Sequence, residues 1–290
     1  MNKQVYSGLI SGLLAASIWG GMYVVSKVVM ETIPPFVLIT SRLILGIGTL
    51  FIVVVLRGGL KIKSWAFWHI FWVGTIGYGI SLGFQFVGTH LSTAANGSLV
   101  TSATPAFVLI FAAIILHEEV TLRKIAALTL ATLGVLAVID PRTAQLEPGL
   151  FWGNVSLLLA AITWALYSVL IRKVTRDVDV LTTSLVAFVG GLIVCIPLSV
   201  VEIKSTGLGE ITPAIIAGIL FLGIISTALA MFLWNKAFAD LPAGTASLTF
   251  FAQPVVGTIL GVIFLGDQVT PMFIAGGIMI GLGILISAKN

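Results

Sequence analysis

Long apolar runs alternate with short polar breaks along all 290 residues. A membrane-spanning helix needs roughly 20 mainly apolar residues to cross about 30 Å of hydrocarbon. The chain divides into ten such runs, at approximately 7–28, 35–56, 65–88, 92–116, 122–139, 150–171, 181–201, 213–237, 243–265 and 271–287. They are far longer than the roughly nine to eleven residues of a barrel strand and lack its alternation. The pattern therefore predicts an all-α integral membrane protein with ten transmembrane helices. The first run resembles a signal peptide, with Lys3 before it and Ala15, Ala16 and Ser17 within it. Its apolar character continues to Val29 and a near copy occurs inside the chain, so it reads as a span.

Composition excludes most other classes. Of the residues, 58% are apolar and 9% charged, against about 25% charged in an ordinary globular domain, and the mean hydropathy is +1.15. A soluble enzyme, a disordered chain, a disulfide scaffold and a nucleic-acid binder are all excluded. The single cysteine, Cys195, lies in an apolar run, which leaves no thiolate metal site. The basic residues instead report orientation. With a cytoplasmic amino terminus, Lys3, Arg57, Lys61, Lys63, Arg123, Lys124, Arg172, Lys173, Arg176, Lys236 and Lys289 fall inside, whereas only Arg142 and Lys204 occupy outside loops. Both termini are then expected in the cytoplasm.

The chain also repeats itself. Leu13-Leu-Ala-Ala-Ser-Ile-Trp19 returns as Leu158-Leu-Ala-Ala-Ile-Thr-Trp164, a shift of 145. At a shift of 149, residues 94–140 align without a gap on 243–289, with 15 identities in 47 pairs, including Pro105 on Pro254 and Val120-Thr121 on Val269-Thr270. Five spans per copy is an odd number, so the second copy enters the membrane from the opposite side. The expected architecture is two inverted five-helix repeats, 1–140 and 141–290, as in many secondary transporters.

Trp19-Gly20 followed by Lys27, Ser41-Arg42-Leu43, the Pro105 span ending in Glu118-Glu119-Val-Thr121, and Leu241-Pro-Ala-Gly244 resemble the EamA branch of the drug/metabolite transporter superfamily. The resemblance covers the whole chain. It implies a bacterial inner-membrane carrier of small metabolites, often an exporter of amino acids or related compounds, with a cavity between the halves. Gly266-Asp267-Gln268 departs from the Gly-Glu common in that family.

All eleven Asp and Glu fall in loops or at span ends, so no carboxylate relay is expected at mid-membrane. Arg42 is the deepest charge, about four residues or roughly 5 Å outward of the middle of its span. Either it snorkels or bonds backbone carbonyls, or it meets an anionic group of the substrate. Lys27 reads as an interfacial anchor, and Trp65, Trp68 and Trp152 as an aromatic belt.

Inverted repeats hold their ligand near the midplane. The polar and aromatic side chains at that depth are Trp19, Tyr23, Arg42, Tyr78, Gln85, Thr101, Trp164, Tyr167, Trp234 and Gln253. Tyr78 and Gln85, seven residues apart, are expected on one helical face. Pro105 and Pro254 are expected to kink spans four and nine by removing helix bonds to Thr101 and Phe250. Asn96 and Asn235, near span ends, are candidates for capping or ligand contact.

Such a site suits a small amphipathic or zwitterionic molecule better than a sugar or metal ion. No GxSxG, HExxH or P-loop pattern occurs, so neither catalysis nor a cofactor is expected. A lipid scramblase or flippase, or a non-transporting membrane subunit, is the alternative. Four GxxxG pairs, Gly8/Gly12, Gly79/Gly83, Gly257/Gly261 and Gly277/Gly281, favour tight packing within a monomer over a homodimer.

Overall fold

The computed structural model describes residues 3–60, 62–139, 148–265 and 271–288. Lys61, Arg142, Gly266, Asp267, Gln268, Val269, Thr270 and Lys289, which entered the orientation, repeat and family readings, lie outside them. Among the described residues the regular structure is all helical, without strands. Seven helical stretches are long and apolar enough to cross a membrane: Lys3–Met30, Pro35–Leu56, Ser64–Leu91, Asn96–Ile115, Pro148–Val174, Val180–Ser205 and Pro213–Asp240. Helices account for the whole framework because lipid offers backbone groups no partners, so each segment must satisfy its own.

Helix α1 is Lys3–Met30 and α2 is Pro35–Leu56. The third stretch is compound: α3 (Ser64–Gly74), a π-helical segment Thr75–Ser81, then α4 (Leu82–Leu91). The fourth is broken into α5 (Ala94–Thr101) and α6 (Thr104–Ile115), with Pro105 in the first turn of α6. Helix α7 is Leu122–Ile139. After a 3-10 turn at Pro148–Leu150 come α8 (Phe151–Val174) and α9 (Val180–Ser205). Next are α10 (Pro213–Leu220), a second π segment Phe221–Leu229, and α11 (Ala230–Asp240). Helix α12 (Ala243–Leu248), a 3-10 turn Thr249–Phe251 and α13 (Ala252–Leu265) form another interrupted stretch, and α14 is Pro271–Ala288.

Local chemistry explains the ends. Thr93, Asp179 and Thr212 cap their helices by accepting from Asn96 N, Thr182 N and Ile215 N at 3.0, 3.0 and 3.3 Å. Thr121 receives Lys124 N at 3.3 Å in the same manner. At the start of α2, where proline opens the helix, the Glu202 carboxylate of α9 accepts Phe36 N and Val37 N at 2.7 and 3.1 Å.

Packing crosses between the two parts of the chain. Helix α1 packs on α11 and α13, while α8 packs on α4 and α6; α2 lies against α9, and α7 against α14. Small residues allow the closest approaches. A side chain at Gly74 would overlap the backbone of Ala187, and one at Gly190 the backbone of Phe71, where Thr75 Oγ1 also donates to Gly190 O at 2.9 Å. Of the glycine pairs, Gly8/Gly12 and Gly79/Gly83 meet neighbours in the chain, whereas Gly277 and Gly281 face open space.

The exterior is apolar. Ile52, Leu56, Ile114, Leu122, Met272 and Ile278 are exposed, as lipid contact requires. Trp65, Trp68 and Trp152 are exposed as well. Lys27 does more than anchor: its ammonium donates to the carbonyls of Thr89, His90 and Ser92 at 3.0–3.1 Å, closing the end of α4.

Candidate functional site

A small cavity, with free room for little more than a water molecule, opens where α1, α4, α8 and the two interrupted stretches meet. Trp19 and Trp164 form one wall, edge to face with ring centroids 5.8 Å apart, and Phe250 lies 6.1 Å from Trp19. Ser81, the last residue of the first π segment, and Leu82 and Gln85 just past it also line the cavity. Thr101 and Thr104 come from the break between α5 and α6, and Phe250 and Gln253 from the 3-10 turn and the start of α13. Irregular backbone inside a membrane is tolerated where it lines such a cavity.

Its polar groups are unevenly satisfied. Gln85 Nε2 donates to the Tyr23 hydroxyl at 2.7 Å, and Tyr23 shares a 2.8 Å bond with Thr101 Oγ1. Trp19 Nε1 donates to Ser226 O at 3.0 Å. In contrast, Trp164 Nε1, Thr104 Oγ1 and both amide atoms of Gln253 are buried without a hydrogen-bond partner. The Gln253 amide approaches the Tyr23 hydroxyl, yet outside hydrogen-bond geometry. Unmet buried polar atoms cost about 1–3 kcal/mol each and are uncommon in folded proteins. Four of them gather around this one cavity.

Five of the ten residues expected at the site therefore line the cavity: Trp19, Gln85, Thr101, Trp164 and Gln253. Tyr23 and Gln85 also line an adjoining crevice too tight to admit water. Tyr78, Tyr167 and Trp234 stand behind the wall. The two tyrosine hydroxyls bond each other, Tyr167 donates to Asn235 Oδ1 at 2.8 Å, and Asn235 Nδ2 donates to Ser184 Oγ at 2.9 Å. Trp234 Nε1 donates to Ser168 Oγ at 3.0 Å. These satisfied contacts brace α8, α9 and α11 and point no free group inward. Asn235 thus belongs to the brace rather than a helix end, and Asn96 bonds Ser92 Oγ and Asn154 Oδ1.

The same-face expectation for Tyr78 and Gln85 needs correction. Between them lie the last residues of the π segment, whose i→i+5 bonding inserts an extra residue into the turn. Tyr78 consequently meets Tyr167 while Gln85 lines the cavity.

Sequence reasoning missed Thr104, Phe250, Met22, Ser81, Ala160, Ala161, Leu82 and Met231, which also line it. A signal existed. The shift of 149 sets Thr101 on Phe250 and Thr104 on Gln253, so two nominated residues each had a copy on the same wall. Gln85 and Met231 likewise occupy matching places after the first residues of the two π segments.

Arg42 is fully buried one layer back. Its Nε donates to Thr227 Oγ1 at 2.9 Å and its Nη2 to Ser226 Oγ at 3.4 Å, while Nη1 has no partner. At one end of the bundle, Glu118 accepts Arg172 Nε at 3.2 Å, Lys124 Nζ at 3.5 Å and Ala243 N at 2.8 Å. Arg172 Nη1 additionally donates to Phe238 O and Leu241 O. This cluster joins the segment after α6 to α7, α8, α11 and α12 in one place. Among the described residues no group of three or more His, Cys, Asp or Glu is placed to hold a metal.

Comparison with known proteins identifies the scaffold. An uncharacterized transporter of Archaeoglobus fulgidus is 28% identical over 277 residues, covering 96% of this chain and 97% of its own. A protein of Salmonella typhimurium described as a probable amino-acid metabolite efflux pump is 24% identical, covering 95% of this chain and 92% of its own. A solved crystal structure superposes with a TM-score of 0.80 at 19% identity, over 97% of this chain and 96% of that one. The profile of the EamA-like transporter family matches twice, at residues 6–139 and 151–288. With apolar helices that cross a membrane several times and a family profile along nearly its whole length, the chain belongs to the EamA-like transporter family.

Proposed function

We propose that this protein is a secondary carrier that exports a small amphipathic or zwitterionic metabolite of the amino-acid class by alternating access of the central cavity. The observation that carries the reading is the cavity itself, with aromatic walls and the unmet polar atoms of Trp164, Thr104 and Gln253. Trp19, Trp164 and Phe250 cover the apolar part of the ligand. Gln85, Thr101, Thr104 and Gln253 supply donors and acceptors, with Tyr23 orienting Gln85. Tyr78, Tyr167 and Trp234 act as supports, and Arg42 contributes charge from behind the wall.

The architecture in this reading is ten transmembrane helices in two inverted five-helix repeats, residues 1–140 and 141–290. Paired π segments, paired helix breaks near Pro105 and Pro254, and the reciprocal packing of α1 on α11 and α13 with α8 on α4 and α6 all support it. The basic-residue asymmetry supports cytoplasmic termini in a bacterial inner membrane. The export direction and substrate class draw on the name of the Salmonella relative. The working unit is a monomer.

The test is flux of a panel of labelled amino acids in proteoliposomes, with Trp164→Phe and Gln85→Ala beside the belt control Trp65→Ala. The reading requires saturable flux of at least one compound and about a tenfold loss in Gln85→Ala, on the order of 1.4 kcal/mol, with the control near wild type. Lipid movement without solute flux would replace it with the scramblase reading. Gly149→Cys should react with an impermeant maleimide from outside; labelling only from the cytoplasmic side would reverse the orientation.

A further inference from the structure

Two sets of helices supply the cavity lining. Helix α1 packs chiefly on α11 and α13, and this set contributes Trp19, Met231 and Gln253; α8 packs chiefly on α4 and α6, and this set contributes Trp164, Gln85 and Thr104. A cation from each set reaches across to the other. Lys27 of α1 donates to the carbonyls of Thr89, His90 and Ser92 at the end of α4, at 3.0, 3.1 and 3.0 Å. Arg172 of α8 donates through Nη1 to the carbonyls of Phe238 and Leu241 at the end of α11.

The two contacts are copies of each other. The shift of 145 that sets Trp19 on Trp164 also sets Lys27 on Arg172, and the shift of 149 sets Thr89 on Phe238 and Ser92 on Leu241. The starts of α1 and α8 repeat the match. A side chain at Gly153 would strike Leu91 and Ser92, and one at Gly8 would strike Asp240 and Leu241. Gly153 and Arg172 are nineteen residues apart on α8, roughly 28 Å at about 1.5 Å per residue, so the contacts stand at opposite ends of the bundle.

A lysine or arginine within the same set would cap these helix ends equally well. Here both caps come from the other set, so parting the sets at one end must break the contact there and need not break its copy. With both contacts made, the cavity has free room for little more than a water molecule. The structure assigns Lys27 and Arg172 as a matched pair of latches, each holding the two sets together at its own end of the cavity. Release of one opens that end and leaves the other shut. This use of the pair rests on the carrier reading above.

Side-specific labelling tests the pair without substrate or flux. An Ala161→Cys reporter in the cavity wall is exposed, in sealed vesicles of one orientation, to an impermeant maleimide on either face; the native Cys195 is buried. Gly149→Cys, just before α8, marks the Lys27 face, and Asp177→Cys, just after α8, the Arg172 face. Lys27→Met should speed reporter labelling about fivefold or more from the Lys27 face and leave the other rate unchanged, and Arg172→Met should do the reverse. Lys27→Arg, which keeps charged donors for the carbonyls, should leave both rates near those of the parent. If Arg172→Met does not fold, Arg172→Lys takes its place; it loses the fork and should speed labelling from the Arg172 face alone. Faster labelling from both faces in either variant, or none from its own face, overturns the pairing. So does Lys27→Arg behaving like Lys27→Met. Side-specific labelling without solute flux would keep the latches and remove the carrier reading; flux without it would do the opposite.

Discussion

Replacing Gln253 by leucine should move stability and transport in opposite directions. The side chain is 2% exposed and both of its amide atoms lack a hydrogen-bond partner. Burying such a group costs about 1–3 kcal/mol. A water molecule in the small cavity meets part of that demand, so the gain on removing the amide lies near the lower bound, about 1 kcal/mol. For a chain of this length the corresponding rise in Tm is roughly 2–4 °C. Leucine matches the amide closely in volume, which keeps the repacking cost small. The bound substrate, however, loses one or two hydrogen bonds, and a loss of about 1.4 kcal/mol weakens its handling about tenfold. The assays are thermal unfolding of purified Gln253→Leu and amino-acid flux in proteoliposomes. A lowered Tm with undiminished flux would show that the amide serves the fold rather than a ligand, and would refute the reasoning.

Glu118→Gln keeps an acceptor for Ala243 N but removes the charge facing Arg172 and Lys124; a cysteine placed at Ala161 in the cavity wall should then react several-fold faster with an impermeant maleimide from the Glu118 end. Unchanged labelling would deny the cluster a part in closing that end; the native Cys195 is buried and serves as blank. Gly74→Ala forces a methyl group into the Ala187 backbone, and overpacking of about 1–3 kcal/mol or more should appear as lost folded yield. Tyr78→Phe leaves Asn235 and Tyr167 short of a partner and should lower stability by about 1–3 kcal/mol in a melting curve, with substrate affinity nearly unchanged because Tyr78 does not reach the cavity.

Much of this was legible in the chain. Apolar run length places the seven long helical stretches of the described residues to within about four residues, because such runs are too long for barrel strands. The internal copy pairs Trp19 with Trp164, and the two rings meet edge to face in the cavity wall. What could not be read was rotation about each helix axis. Polarity nominated Tyr78, Tyr167 and Trp234, but their groups turn to one another and to Asn235 and Ser168 instead of to the cavity. Ala160, Ala161 and Met22 line the cavity without any polar mark to reveal them. Glu118 was visible as a span-end acid within a family-like motif, but not as the centre of an ion-pair cluster, because its partners at 172 and 243 are distant in sequence.

The π segments at Thr75–Ser81 and Phe221–Leu229 set the phase of everything that follows them on their helices. An α-helix turns by about 100° per residue, so deleting one residue from the first segment would restore regular winding and swing α4 round by that angle. Gln85 would leave the cavity and another side chain of α4 would take its place. Hydropathy would barely change, and the shortened chain would still enter the bilayer. Such a protein would stay apolar and helical yet lose Gln85 from its cavity, so the number of residues in this wide turn decides which side chains of α4 face inward.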